Sequence, residues 1–260
     1  MKRDSVQVWR IPLQASSEVM ETYYACLSLD ERSRADRFRF SDDRRRFIVA
    51  RGVLRHLLGQ SISCSPTQIS FCYGQYGKPS IEPVGSNSQT SAKSTNKRRI
   101  STQSTSSSGA KENCDFHFNI SHSGELALCA LGYERKVGID VEKLKEIKRL
   151  ESMMDRCLSS QEQKQVKSYK NPLEAFLTCW TCKEAYLKAI GLGLSQSMTT
   201  VEVDIEALQL VRVPKECEEG WKLRSIAAPK GYIATLAVAG DTYVEHRDWV
   251  HADIREDASR

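Results

Sequence analysis

The sequence predicts an α+β protein built from two comparable halves, and three observations carry that expectation. Strand-like runs and helix-like runs are interleaved on both sides of the chain's midpoint. A segment at about residues 86–110, roughly half Ser and Thr with Ile100 its only large aliphatic residue, separates the two sides and lacks the apolar surface to offset ordering. The length of 260 residues exceeds a usual single domain of roughly 100–200 without demanding two independent cores. The expected division is 1–112, including the Ser/Thr-rich insert, and 113–260.

The first element is a strand over residues 6–11, where Val6, Val8 and Ile11 supply the apolar positions. Helical spacing follows over 18–27. Asp30 and Glu31 open a second helix, and Asp42 and Asp43 open a longer one reaching about residue 58. In that helix Phe47, Val49, Ala50, Val53, Leu54, Leu57 and Leu58 make a core face, with arginines flanking it. Tyr76, Gly77, Lys78 and Pro79 read as a turn.

The second half opens with strands over 116–120, 127–131 and 136–141, then helices near 150–158 and 161–168. The clearest helix covers 173–190, with Pro172 at its start and Gly191 past its end. Strands over 200–204, 221–226 and 232–239 complete the pattern.

Composition narrows the function classes. The 38 basic and 33 acidic residues leave a net charge of +5, which suits a polyanionic ligand or acidic protein partner without indicating nucleic acid. The basic cluster Lys97, Arg98 and Arg99 reads as a solvated run within the insert. No run of about 18 apolar residues is present to span a bilayer. No apolar stretch follows Lys2 and Arg3, so no secretory signal is expected and a cytoplasmic location is. Nine cysteines, an odd number in apolar contexts, point to reduced thiols, and the lone pair Cys179 and Cys182 lacks the partners of a zinc site.

Candidate chemistry gathers in the second half. In Val137-Gly138-Ile139-Asp140-Val141-Glu142 the two carboxylates share one face of a strand, a hard-oxygen cradle that suits Mg²⁺. On the long helix, Leu173, Phe176, Leu177, Trp180, Leu187 and Ile190 form an apolar stripe that contains Glu184. A carboxylate there needs a cation, because an unpaired buried charge costs several kcal/mol. Lys188 at i+4 is the simple partner, a third metal carboxylate the sharper reading, with Lys183 and Lys188 free to meet phosphate charge. The turn Ser121-His122-Ser123-Gly124 after a strand can hold phosphate oxygens. No spaced Ser–His–Asp set supports Ser121 as a nucleophile.

Four ordered segments resemble the 4′-phosphopantetheinyl transferases of the long, Sfp-like type. They are Gln75-Tyr76-Gly77-Lys78-Pro79, Phe118-Asn119-Ile120-Ser121-His122-Ser123-Gly124, Gly138-Ile139-Asp140-Val141-Glu142, and the run from Trp180 to Lys188 with Lys183-Glu184-Ala185 at its centre. They span roughly residues 75–195, and the arginine-rich stretch from Arg32 to Arg55 extends the likeness. The insert between Pro79 and Phe116, where the family has a short link, is the main departure and leaves all four segments intact.

The resemblance implies a pseudo-dimer of two similar α/β halves with the active site in the cleft between them, and a monomeric protein. It implies that Asp140, Glu142 and Glu184 hold Mg²⁺, that Ser121 and His122 contact phosphate oxygens of coenzyme A, and that Lys78 and Pro79 lie near its adenine end. Arg34 and Arg46 are the implied 3′-phosphate ligands. Catalytic roles fall to Glu184 as base, to Lys188 as stabiliser of developing charge and to His122. The implied reaction moves phosphopantetheine onto a serine of an acyl or peptidyl carrier protein, with no nucleic-acid or membrane partner, releasing adenosine 3′,5′-bisphosphate. A silent carrier-binding module would lack a metal carboxylate or Lys188, and all are present; a nucleic-acid enzyme would carry an aromatic stacking set, which is absent from the sequence.

Overall fold

A computed structural model describes residues 5–82, 116–192, 197–214 and 220–253. The Ser/Thr-rich insert and its Lys97–Arg99 cluster lie outside them. The first half runs β1 (Ser5–Pro12), α1 (Ser17–Cys26), α2 (Leu29–Asp36), α3 (Ser41–Ile62), a small hairpin of β2 (Phe71–Tyr73) and β3 (Pro79–Ile81), then β4 (Phe116–Ser123) and β5 (Leu126–Tyr133). The second half repeats that order: β6 (Val137–Lys143), α4 (Leu150–Cys157), α5 (Ser160–Ser168), α6 (Pro172–Ile190), the hairpin β7 (Glu202–Asp204) and β8 (Gln209–Arg212), then β9 (Trp221–Ser225) and β10 (Tyr232–Ala239). In each half the first strand pairs antiparallel with the last, and the last with the one before it, giving the orders β1-β5-β4 and β6-β10-β9. That repeated topology is the expected arrangement of two similar α/β halves. One further strand, β11 (Tyr243–Asp248), adds parallel to β1.

Local chemistry fixes the element ends. Glu31 Oε2 accepts the Ser28 N–H at 3.0 Å, closing a capping box on α2, and Ser159 with Glu162 does the same for α5. Asn171 caps α6, Pro172 occupies its first turn, and Gly191 at φ 78° ends it in the left-handed region where a Cβ would be strained.

Strand alternation then sorts the core into layers. Val6 and Val8 of β1 and Leu126, Leu128 and Ala130 of β5 face Val137, Ile139 and Val141 of β6 and Leu236 and Val238 of β10, forming the dry layer between the sheets. The opposite faces of β5 and β1 pack on α3, and α6 covers the far face of β6 and β10. Leu128 and Leu236 are fully buried, so truncating either to alanine would cost about 2–5 kcal/mol. Gly138 sets the distance between β6 and α6: a Cβ there would stand 2.1 Å from the Ala185 carbonyl oxygen and 2.4 Å from the Ala189 nitrogen. Only glycine lets the strand lie this close to the helix backbone.

Several expectations are corrected. Strand pairing crosses the expected division at 112/113, since β4 and β5 belong with β1. The arginines do not merely flank α3: Arg55 lies inside it, 1% exposed, with its guanidinium on Glu31 Oε2 at 2.7 Å. Around α6 burial extends well beyond one stripe and takes in Thr181, Cys182, Lys183 and Tyr186. The run at 200–204 begins as a 3₁₀ turn, Met198–Thr200, before β7.

Candidate active site

The strands β4 and β6 are the facing edges of the two sheets, and side chains join them where a backbone ladder would otherwise run. Asn119 Oδ1 accepts the Ile139 N–H at 2.8 Å. Ser121 Oγ donates to Asp140 Oδ1 at 2.8 Å, and Ser123 Oγ donates to Glu142 Oε2 at 2.9 Å while accepting the Lys143 N–H at 3.1 Å. The period-2 alternation that puts Asn119, Ser121 and Ser123 on one face of β4 therefore matches Asp140 and Glu142 on β6.

Helix α6 brings the third carboxylate and the ammonium. Lys188 Nζ donates to Asp140 Oδ1 at 2.5 Å and to Ser121 Oγ at 3.0 Å. Burial pushes the Glu184 carboxyl up to about 6; Lys188 opposes that rise, and the charges of Asp140 and Glu142 add to it. Burial likewise raises Glu142, against its bond from Ser123 and with the charge of Asp140. Three carboxylates thus share one low-dielectric corner with one ammonium.

Whether these residues suit a divalent cation can be tested on their unmet bonds. Asp140 Oδ2 and Glu184 Oε1 are buried and have no hydrogen-bond partner among the described residues. Among those residues no group of three or more His, Cys, Asp or Glu side chains stands as a ready coordination shell, in keeping with Lys188 drawn onto Asp140. Orphaned carboxylate oxygens beside a third carboxylate are the donor set a hard cation takes, so the residues fit Mg²⁺.

A cationic side flanks the carboxylates. The His122 imidazole is held below its ordinary value by burial and by the charges of Lys188 and Arg46, so all three lie within electrostatic reach. Arg46, in the first turns of α3, bonds Glu125 Oε1 through Nε at 2.9 Å and Nη2 at 2.6 Å, and Asp43 Oδ1 through Nη1 at 3.1 Å.

Arg34 is placed elsewhere. It stacks its guanidinium 5.1 Å from the Phe47 ring centroid, at a pocket of about 400 Å³ that Arg37, Arg51, Tyr73, Gly77 and Pro79 also line. Pro79 faces that pocket; Lys78 beside it does not line it. The Lys78 ammonium donates to the Ala189 and Val137 carbonyls at 2.7 and 3.3 Å, and burial, aided by the Lys136 charge, brings it down to about 8. This lysine fastens the β2–β3 turn to the second half.

Lys183 differs from its expected freedom to meet phosphate. It is fully buried, bonded to Glu162 Oε2 at 2.6 Å and to the Cys157 and Met198 carbonyls, and so ties α6 to α5. Cys179 and Cys182 pack in the same core; burial pushes the Cys182 thiol up to about 12, which suits an inert thiol. Ser121 to Ser123, expected in a turn, continue β4. Neither Asn119 nor the bond of Ser123 to Glu142 was expected, nor was Glu125. Alternation along β4 could have found the first two, whereas no sequence signal marks Glu125.

Two family models together span most of the chain. One described as the 4′-phosphopantetheinyl transferase superfamily matches residues 136–237, and one described as 4′-phosphopantetheinyl transferase, N-terminal, matches 12–133. The 4′-phosphopantetheinyl transferase HetI of Nostoc is 34% identical over 239 residues, covering 91% of this chain and 89% of that protein. The transferase psf-1 of Bacillus pumilus is 26% identical, covering 82% and 80%, and Sfp of Bacillus subtilis 27%, covering 72% and 70%.

Proposed function

The chain belongs to the 4′-phosphopantetheinyl transferases, and from that membership we propose that it moves the phosphopantetheine arm of coenzyme A onto a serine of an acyl or peptidyl carrier protein. The reaction is Mg²⁺-dependent and releases adenosine 3′,5′-bisphosphate. The observation that carries this reading is the corner of Asp140, Glu142 and Glu184, with two buried carboxylate oxygens unmet among the described residues, beside Lys188 and His122.

In this mechanism the carrier serine hydroxyl attacks the phosphorus that bears the pantetheine arm, and the bond to the bisphosphate breaks. Glu184 accepts the hydroxyl proton; general-base help of this kind contributes about 10²–10⁴-fold. Lys188 stands on Asp140 at rest and turns its charge toward the phosphate oxygens as negative charge develops on them. Ser121 and His122 hold phosphate oxygens from the β4 side. Asp140, Glu142 and Glu184 would hold Mg²⁺, which supplies Lewis-acid neutralisation of the pyrophosphate when bound. No covalent enzyme intermediate is required.

A net charge of +5 favours encounter with an acidic carrier. Among the described residues no helix is long and apolar enough to cross a membrane. The test is the mass of several apo-carriers after incubation with coenzyme A, Mg²⁺ and the protein. Gain of a phosphopantetheine mass on at least one carrier is expected, and no gain on any would refute the reading.

A further inference from the structure

The turn after His122 holds one acidic residue that stands outside the transfer chemistry. Glu125 follows Gly124, which turns the chain at φ 56°, and its backbone is fastened from both sides: its carbonyl accepts the Leu13 N–H at 2.9 Å and its N–H donates to Tyr232 Oη at 3.2 Å. Four charge-assisted bonds converge on its side chain. Arg45 contributes Nη1 to Oε2 at 2.8 Å and Nη2 to Oε1 at 3.3 Å, and Arg46 contributes Nε and Nη2 to Oε1 at 2.9 and 2.6 Å. Together the two guanidinium groups hold the Glu125 carboxyl near 2, well below the ordinary carboxylate range.

The two arginines differ in what remains of them. Arg45 spends its other contacts on the scaffold, donating to the Leu13 carbonyl at 2.6 Å and to Asp42 at 3.3 Å. Arg46 also gives Nη1 to Asp43 at 3.1 Å, and its guanidinium stays about a quarter exposed, its charge felt by His122 as that of Lys188 is. By Coulomb's law alone, a carboxylate beside an anion-binding arginine weakens the anion. The same carboxylate removes the rotamer freedom that a long side chain would otherwise lose on binding.

We propose that Glu125 is a positioning residue, which fixes the Arg46 guanidinium beside His122 so that the two form a preorganised receiver for the 3′-phosphate of coenzyme A. This assignment rests on the transferase reading. Its two physical effects have opposite signs, so the direction of change on removing Glu125 decides between them: tighter binding if repulsion dominates, weaker binding if positioning does.

The experiment is calorimetric titration of wild type, Glu125→Ala, Glu125→Gln and Glu125→Asp with adenosine 3′,5′-bisphosphate and with adenosine 5′-monophosphate, beside melting curves. Expected is a loss of about fivefold to tenfold in affinity for the bisphosphate in Glu125→Ala, a change within about twofold for the monophosphate, and partial recovery in Glu125→Asp. Glu125→Gln keeps the shape and gives the same answer if the alanine variant does not fold. Bisphosphate affinity unchanged or tightened in a folded variant overturns the assignment, as does equal loss for both nucleotides, or a wild type that binds neither. Because the titration needs no turnover, a wild type that binds the bisphosphate yet modifies no carrier sinks the transferase reading while leaving the role of Glu125 decided.

Discussion

Lys188 Nζ lies 2.5 Å from Asp140 Oδ1 and 3.0 Å from Ser121 Oγ, so a single ammonium ties the last turn of α6 to the facing edges of both sheets. Asp140 is 3% exposed, and this ammonium is its one ion-pair partner among the described residues. A charge placed there serves the resting fold and, in the proposed mechanism, the phosphate once substrate arrives.

Replacing Lys188 should therefore be felt twice. Lys188→Met leaves Asp140 buried without its cation and should lower stability by about 1–3 kcal/mol, less than for a fully buried pair because Lys188 is a quarter exposed. It should also lower kcat by about 10²-fold, since the charge it meets develops only in the transition state. Lys188→Arg should restore most of the stability. Urea melts and steady-state turnover test this, and turnover within about threefold of wild type would remove Lys188 from the chemistry.

Glu184 is expected to trade stability for activity. Its folded-state value near 6 lies above the ordinary 4.5, so the folded protein holds this proton more tightly than the unfolded chain. The stability this confers is complete below 4.5 and is lost as pH rises through 6. Glu184→Gln should then be about 1–2 kcal/mol more stable than wild type at pH 7, equal to it near pH 4, and slower in transfer by roughly 10²–10⁴-fold. Urea midpoints at the two pH values check the sign; a mutant less stable at pH 7 would mean that Glu184 is satisfied by a partner in the free protein.

Arg46→Ala should raise KM for coenzyme A by about tenfold and leave kcat within about twofold, because a contact remote from the reacting phosphorus is equal in ground and transition states. With 3′-dephospho-coenzyme A most of that effect should vanish. If Arg46→Ala treats the two substrates as wild type does, Arg34 beside the pocket of Phe47, Arg51 and Pro79 becomes the residue to replace.

Lys78 offers a contrasting case. Lys78→Met removes donors from the Ala189 and Val137 carbonyls and should cost about 1–3 kcal/mol in stability. Its ammonium is held by those two carbonyls, so KM for coenzyme A should shift by less than about threefold. An unchanged melting temperature together with a tenfold rise in KM would instead put Lys78 on the nucleotide.

Much of this site was legible because it rides on strict periodicities. The alternation of Val137, Ile139 and Val141 with Asp140 and Glu142 fixed which side chains share a face, whereas Lys188, expected at i+4 to meet Glu184, pairs with Asp140 instead. Lys183 stands outside the apolar stripe of α6, yet α5 covers its face of the helix and supplies Glu162 as its partner, a contact that no spacing within α6 reveals. The strands β2, β3, β8 and β11 went unseen because each is short or carries too few buried residues for its alternation to stand out. Glu125 was invisible for a different reason: its meaning depends on two arginines some 80 positions earlier in the chain.

The parallel pairing of β11 with β1 sets a timetable for synthesis. The first sheet takes its outermost strand from residues 243–248, and Trp249 then locks it by donating to Tyr23 Oη at 2.8 Å. A ribosome delivers β1, α1 and α3 long before that strand, so the nascent first half waits with the outer edge of β1 open until almost all the second half has emerged. That edge is the natural handhold for a chaperone and the natural point of failure for a chain stopped near residue 240, which would lack β11 however well its second half had folded.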